Sequence, residues 1–286
     1  MSRPQVIPAL TSIRGIAAWW VVLYHFRQYL PTGRPEWLSA LTAHGYLAVD
    51  LFFILSGFVL ALNYAESFRR SLAGATDFYR LRFGRIYPLH FVMLMLFLLN
   101  PLAVALFSAS GDTSAYGWDY FVLSLFLVQN WGFSTELAWN DPAWSISTEV
   151  FAYLFFPLAA MLMGRVNMTV GAALLVMVAL LITLALAAQA EGGSLGFDIP
   201  GFGLTRCCLQ FLLGMLVWRL RDALGFAFNA RPWRIGGGHP PAGIPAVVCP
   251  EHLQCGADAG LDPAHRGMLI FVTAGRRGAP AAPELV

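Results

Sequence analysis

Long apolar runs are the feature that most constrains the fold of this chain. Most contain 18 or more residues, the length with which an α-helix crosses the roughly 30 Å hydrocarbon core of a bilayer. Charged residues make up only 12% of the sequence, about half of what soluble domains contain. The sequence therefore predicts an all-α fold, a polytopic transmembrane helical bundle. Its six to seven hydrophobic segments are 7–30, 45–64, 88–108, 118–131, 143–163, 168–190 and 203–220.

The topology depends on whether the short segment 118–131 crosses the membrane. Its fourteen residues make about 21 Å of helix, so we expect a re-entrant or interfacial piece beside six crossings. The loop 66–87 holds five Arg residues, which marks it as cytoplasmic by the positive-inside rule and places the N-terminus on the same side. The sequence thus predicts a multi-pass membrane protein with a cytoplasmic N-terminus.

The composition changes near Ala223 and divides the chain into two parts. Residues 1–222 form the predicted membrane domain, which we expect to be incomplete, and residues 223–286 are rich in Gly and Pro and have no helical period. We interpret this tail as disordered, or as the product of a reading frame lost near Ala223. Its Cys and His residues fit no standard zinc spacing, so no metal site is predicted. They are Cys249, His252, Cys255 and His265.

Two ionisable side chains lie within the first apolar segment. Arg14 and His25 are eleven residues apart, which corresponds to about 16 Å and three full turns of a helix. Both side chains should therefore lie on one face. Because ionisable groups are costly inside a bilayer, such a face is expected to line a cavity in which these groups have a function.

The second segment carries a single acid, Asp50. The link between the first two segments is short, so Asp50 and His25 should lie at the same depth. A carboxylate beside an imidazole fixes its tautomer and raises its basicity, as a general base requires. The alternative is a polar clasp between two helices with no catalytic role.

Arginines and a second acid complete the candidate site. Arg80, Arg82 and Arg85 precede the third segment and suit a phosphate-bearing cytosolic ligand, although topology and lipid head groups explain them equally well. At the start of the fifth segment, an intramembrane Glu149 calls for a partner, and Arg206 in the last segment is a further candidate. The residues that precede Glu149 in the same motif are Trp144, Ser145 and Ser147.

Four segments, in this order, resemble the signatures of the acyltransferase 3 family. They are SIRGIAAWWVVLYH, GYLAVDLFFILSGF, RLRFGRIYP and WSISTE. The resemblance implies a multi-span inner-membrane O-acyltransferase that takes an acyl group, most often acetyl, from cytosolic acyl-CoA. The acceptor in that family is a hydroxyl of a glycan, as in the modification of lipopolysaccharide or of nodulation factors.

The resemblance also assigns roles to residues of this chain. It implies that Arg14 and His25 form the arginine–histidine pair of the first helix and that His25 is essential. Asp50 and Glu149 match acids of the second-helix and fifth-helix motifs. The arginine motif on the cytoplasmic side of the membrane is represented by Arg82 and Arg85.

The resulting hypothesis is acyl transfer with acyl-CoA as the donor substrate and no permanently bound cofactor. The phosphates are expected at Arg80, Arg82 and Arg85. We expect His25, oriented by Asp50 or Glu149, either to deprotonate the acceptor hydroxyl or to carry the acyl group transiently. The expected partners are acyl-CoA, a glycan or glycolipid and the lipid bilayer. Nucleic acid is not expected, because the Arg residues form no single basic face. Two alternatives remain: a transporter or channel with a buried proton relay, and a non-functional truncated fragment.

Overall fold

The computed structural model describes residues 7–225, apart from 32, 108–112, 114–115, 191–194 and 197. Within these residues the chain has no β-strand, which confirms the all-α class. Most of the predicted tail, from residue 226 onward, lies outside the described residues. The α-helices are α1 (Pro8–Phe26), α2 (Glu36–Ala43), α3 (Leu47–Phe68), α4 (Ala75–Phe97), α5 (Leu99–Phe107), α6 (Trp118–Leu125), α7 (Trp144–Arg165), α8 (Val170–Ala190) and α9 (Ile199–Ala223).

Among the described residues, five helical segments are long and apolar enough to cross a membrane. They are Leu47–Phe68, Ala75–Phe107, Asp141–Arg165, Val170–Ala190 and Ile199–Ala223. Helix α1, which was predicted as a span, is one continuous helix of 19 residues but is not among the five.

The doubtful segment 118–131 contains only a short helix. Helix α6 has 8 residues, or about 12 Å, and Leu127 then takes a left-handed φ of 58°. A helix of this length does not span a hydrocarbon core of about 30 Å. The expectation of a partial element therefore agrees with the structure.

The predicted loop 66–87 is wrong in its second half. Helix α4 begins at Ala75, so that Arg80, Arg82 and Arg85 lie within a helix. The reason is an apolar anchor that precedes the arginines: Phe78 is fully buried in the aromatic core. Burial of this ring in the first turn keeps the backbone helical well before the apolar run begins.

The core lies between α3, α7 and α9, with the first turn of α4 packed against them. Four of its aromatic rings contact one another at centroid distances of 5.3 to 6.2 Å. Helices α3 and α9 approach closely at two glycines, Gly57 and Gly214. Small residues allow such approach between membrane helices, where packing and not water exclusion drives association. The four rings belong to Phe68, Phe78, Phe156 and Phe211.

We expect larger side chains at this crossing to destabilise the protein. A Cβ atom at Gly57 would meet the carbonyl oxygen of Phe211, and one at Gly214 would meet that of Ile54. Overpacking of this kind costs about 1 to 3 kcal/mol, so Gly57→Ala and Gly214→Ala should each lower the melting temperature in detergent, measured by scanning fluorimetry. Gly84→Ala in α4 is the matched control, because its Cβ would meet nothing within 4 Å.

The control should leave the melting temperature unchanged or raise it, since Ala is favoured over Gly in a helix by about 0.5 to 1 kcal/mol. Equal melting temperatures for all three variants would contradict the close crossing of α3 and α9.

Helix α1 lies beside this core and packs on α2 and α3. The indole nitrogen of Trp20 donates a hydrogen bond of 2.6 Å to the carbonyl oxygen of Leu41. Gly45 adds a close contact, since a Cβ there would meet both Trp20 and Tyr24. These contacts set the position of the helix that carries Arg14 and His25.

Candidate functional site

Helices α1, α3, α4 and α7 enclose a cavity of about 430 Å³. Arg14, Ala18, Val21 and His25 line it, at intervals of four, three and four residues along α1. This spacing is one face of an α-helix. The structure thus confirms that Arg14 and His25 share a face and that this face borders a cavity.

The ring of His25 is oriented by its own helix. Its Nδ1 lies 2.9 Å from the carbonyl oxygen of Val21, and because a carbonyl oxygen only accepts, Nδ1 carries the proton. In the neutral ring, Nε2 is then the nitrogen with the free electron pair. A ring held in this way has one basic nitrogen, which is what proton transfer or nucleophilic attack requires.

The predicted pairing of His25 with Asp50 is wrong. Both oxygens of the Asp50 carboxylate are bound by Arg206, at 2.6 Å from Nε and 2.9 Å from a terminal nitrogen, and Gln210 also donates to Asp50. Arg206 is 1% exposed, and it further donates to the carbonyl oxygens of Leu195 and Tyr46.

Asp50 and Arg206 thus form a buried clasp between α3 and α9, and neither lines the cavity. An acid close enough to interact electrostatically with His25 is Asp141, which precedes α7. The sequence analysis did not predict Asp141 as a site residue, because Asp141 lies just before the motif that begins at Trp144.

Glu149 is the only carboxylate among the lining residues of this cavity, and it is held by two hydroxyl groups. The Tyr153 hydroxyl donates to Oε1 over 2.6 Å, and the Ser56 hydroxyl donates to the same oxygen. All three residues line the cavity. The partner that an intramembrane acid demands is therefore a pair of neutral donors, which the sequence did not reveal.

Two of the three predicted arginines of α4 reach the cavity. Arg82 and Arg85 line it, whereas Arg80 lies on another face of the helix, with its side chain 79% exposed and Asp77 at 4.0 Å. Arg82 donates a hydrogen bond of 2.6 Å to the Tyr64 hydroxyl and stacks over that ring. The prediction that Arg80 belongs to the site is therefore wrong. Arg80 lies two residues before Arg82, and a step of two residues along a helix turns the side chain to another face.

A second hollow of about 160 Å³ extends the arginine end of the site. It shares Arg14, Arg82 and Arg85 with the main cavity and continues past Thr11 and Asn63. Within the described residues, the guanidinium groups of Arg14 and Arg85 have no hydrogen bond and no ion pair. Three guanidinium groups face one carboxylate in the main cavity, so the combined site is electropositive and fits an anionic ligand.

The motif at the start of α7 divides between the cavity and the core. Trp144 and Ser145 line the cavity. Ser147 is fully buried, and its hydroxyl accepts a hydrogen bond of 3.3 Å from the backbone N–H of Asn130. Arg206 lies 5.7 Å from the Trp144 ring, so it contacts the site only through this cation–π interaction. Ser147 and Arg206 therefore support the site and do not line it.

The comparisons with known proteins extend these observations. A family model described as an acyltransferase domain matches residues 7–248. The chain is 38% identical to acyltransferase MdmB of Streptomyces mycarofaciens over 164 residues, which cover 54% of this chain and 40% of the relative. It is 41% identical over 95 residues to protein 2 in the picA locus of Rhizobium radiobacter, which cover 33% of this chain and 46% of the relative.

A more distant relative is the O-acetyltransferase OatA of Staphylococcus aureus. It is 26% identical over 168 residues, which cover 55% of this chain and 25% of the relative. The chain spans less than half of the length of each of these three relatives. No solved structure gives a significant match.

Proposed function

Because the chain belongs to the acyltransferase 3 family, we propose that it acts as a membrane O-acyltransferase with acyl-CoA as the donor and a glycan hydroxyl as the acceptor. Five membrane-capable helices and the family make it a multi-pass membrane protein. The proposed transfer to a hydroxyl draws support from the name of OatA, an O-acetyltransferase. Since the chain spans less than half of these relatives, the activity, donor and acceptor are all part of the proposal.

One observation carries the proposal: His25 and three arginines line the same cavity. Guanidinium groups bind phosphate by charge-assisted hydrogen bonds, so the phosphates of acyl-CoA would lie at Arg14, Arg82 and Arg85. His25 lines the same hollow, on the far side of Val21 from Arg14, and its Nε2 holds the free electron pair. Acyl-CoA has anionic phosphates at one end and an uncharged thioester at the other. These two ends match the arginine end and the His25 end of the cavity.

In the proposed reaction, Nε2 of His25 accepts the proton of the acceptor hydroxyl while its oxygen attacks the thioester carbonyl. The new C–O bond forms, the C–S bond breaks, and the thiolate leaves with the proton returned from the imidazolium. Protons and electrons balance without a further reactant.

In a second route, Nε2 attacks the thioester itself. The C–S bond breaks, the thiolate leaves, and the acyl group is bonded to Nε2 as an acyl-imidazolium. The acceptor oxygen then attacks this acyl group, the C–N bond breaks, and the proton lost by the hydroxyl balances the one that the thiolate takes up. This route separates donor and acceptor in time and gives a covalent acyl-histidine. Rapid acid quench of the protein with labelled donor and no acceptor distinguishes the two routes by the presence of label on the chain.

The proposed orientation places the N-terminus and the arginine end of the cavity at the cytoplasm of the cell that makes the donor. Support comes from the five arginines between α3 and the middle of α4, which favour the cytoplasmic side. Acyl-CoA would then enter from the side of Arg85, and His25 would lie toward the outer face of the inner membrane. A cysteine-labelling experiment on intact cells tests this orientation.

Membranes that contain the full chain, incubated with radiolabelled acetyl-CoA and isolated glycan, test the proposed function. Label on the glycan that depends on the protein supports it. Solute flux across vesicles that does not depend on acyl-CoA would instead support a transporter. If the protein is present in the membrane, and neither acetyl-CoA nor longer acyl-CoA donors yield labelled glycan, the proposal is wrong.

Arg85 offers a direct test of the donor site. Its guanidinium has no partner among the described residues, so Arg85→Ala should remove donor contacts and leave the fold intact. A hydrogen bond to a charged group contributes about 1.5 to 3 kcal/mol, hence we expect the KM for acyl-CoA to rise about 10- to 100-fold. Steady-state kinetics with varied acyl-CoA measures this.

Arg70→Ala is the matched control, because Arg70 is exposed and does not line the cavity. Its KM should equal that of the wild type. An Arg85→Ala variant with unchanged KM places the phosphates elsewhere.

A further inference from the structure

A small hydroxyl cluster inside the cavity suggests how Glu149 is kept in place. Tyr153 lies one turn after Glu149 on α7, and Ser56 reaches the same carboxylate from α3. The two hydroxyl oxygens are themselves 3.3 Å apart. Ser56 and Tyr153 are 2% and 8% exposed, so that water does not easily replace either donor.

The two donors bind the same oxygen of Glu149. Tyr153 and Ser56 both donate to Oε1, and within the described residues Oε2 has no hydrogen bond or ion pair. Oε2 is also not among the buried polar atoms that lack a partner, so it remains accessible. Since Glu149 lines the cavity, its unused oxygen is available to a ligand there.

The helices that carry Ser56 and Tyr153 both pack against α9. Ser56 is followed by Gly57, where α3 touches the backbone of α9. Tyr153 packs against Phe211 of α9, with ring centroids 6.5 Å apart. Ser56 on α3 and Tyr153 on α7 are thus both held by packing against α9. This packing sets the positions from which their hydroxyl groups approach Glu149.

We propose that Ser56 and Tyr153 are positioning residues, which bind one oxygen of Glu149 and thereby aim the other into the cavity where acyl transfer occurs. This inference rests on the proposed function. A carboxylate that is held at one oxygen has lost its rotation about the last side-chain bond before the substrate binds. Such preorganisation affects the rate of reaction more than the binding of a donor that is held by arginines.

The proposal predicts a specific kinetic effect for Tyr153→Phe, which removes a single oxygen atom. We expect kcat to fall about 10- to 100-fold, the range for loss of one hydrogen bond to a charged group, while the KM for acyl-CoA changes less than about twofold. Ser56→Ala should act in the same direction. Both are measured with the full chain in membranes, with radiolabelled acyl-CoA and glycan acceptor.

Tyr79→Phe is the matched control. The Tyr79 hydroxyl also donates to α7, over 2.8 Å to the carbonyl oxygen of Leu154, but Tyr79 does not line the cavity. It should leave kcat within about twofold of the wild type. A similar loss of kcat in both Phe variants would indicate a structural effect and overturn the proposal.

A double-variant cycle separates action through Glu149 from an independent effect. If Tyr153 acts by aiming Glu149, then Tyr153→Phe should cost little more once Glu149→Ala is present. An undiminished loss of kcat in that background overturns the proposal, as does a Tyr153→Phe variant with the kcat of the wild type beside an inactive Glu149→Ala variant. Absence of acyl transfer by the wild type would instead refute the proposed function, so the two failures are distinguishable.

Discussion

Replacing His25 by Ala is expected to lower kcat for acyl transfer by about 10²- to 10⁴-fold, the usual contribution of a positioned general base. The reason is structural: Nδ1 is engaged by the Val21 carbonyl oxygen, so Nε2 supplies the basic electron pair in the cavity. The measurement is transfer of radiolabel from acyl-CoA to glycan in membranes with equal amounts of protein. Loss of the ring should not remove the protein from the membrane, because the five membrane-capable segments do not include α1.

His44→Ala provides a matched control for this variant. His44 is also exposed, and its Nδ1 makes the same kind of bond, 2.7 Å to the carbonyl oxygen of Ala40, four residues earlier. It does not line the cavity, so kcat should stay within about twofold of the wild type. If His25→Ala transfers the acyl group as fast as the wild type, His25 is not the general base. The reaction would then depend on the arginines and Glu149.

Replacing Arg206 by Met is expected to destabilise the protein by about 3 to 5 kcal/mol, the cost of leaving one partner of a buried ion pair without the other. The carboxylate of Asp50 has its two short ion-pair contacts with this guanidinium, and the side chain of Asp50 is only 13% exposed. Leu195 and Tyr46 would also lose the donor to their carbonyl oxygens. The effect is measured as the difference in melting temperature between the variant and the wild type, both purified in the same detergent.

Two comparisons make this result specific. Arg80→Ala breaks an exposed pair with Asp77 and should cost about 0 to 1 kcal/mol. The double variant Asp50→Leu with Arg206→Met removes both charges and should recover part of the stability lost by Arg206→Met alone. A double variant less stable than the single one would contradict the role of Asp50 as the structural partner of Arg206.

Residue types and spacing predicted much of the site. The eleven-residue step from Arg14 to His25 gives whole turns of a helix, so a shared face follows from helix geometry alone. Arg82 and Arg85, three residues apart on α4, reach the cavity for the same reason. Local periodicity was sufficient for contacts within one helix.

Contacts between helices were harder to predict. Depth in the membrane suggested that Asp50 faces His25, but depth does not fix the direction of a side chain around the helix, and α9 supplies its partner. Ser56 was missed because a hydroxyl group in an apolar segment often bonds within its own helix, and its role becomes visible only when α3 and α7 are brought together at Glu149. Tyr153 lies four residues after Glu149 on the same helix, a spacing that could have indicated the contact.

Under the proposed function, the arrangement of Arg14 and His25 on one unbroken helix would set a length requirement for the donor. Eleven residues of α-helix correspond to about 16 Å along the axis, and α1 continues through both positions. A molecule bound by its phosphates at one end and cleaved at the other must bridge this interval. Coenzyme A thioesters have such an extended arm, whereas in an acyl phosphate the anionic group is bonded directly to the reactive carboxyl group. The spacing on α1 would therefore favour long activated donors. A short donor could contact either Arg14 or His25, but not both at once.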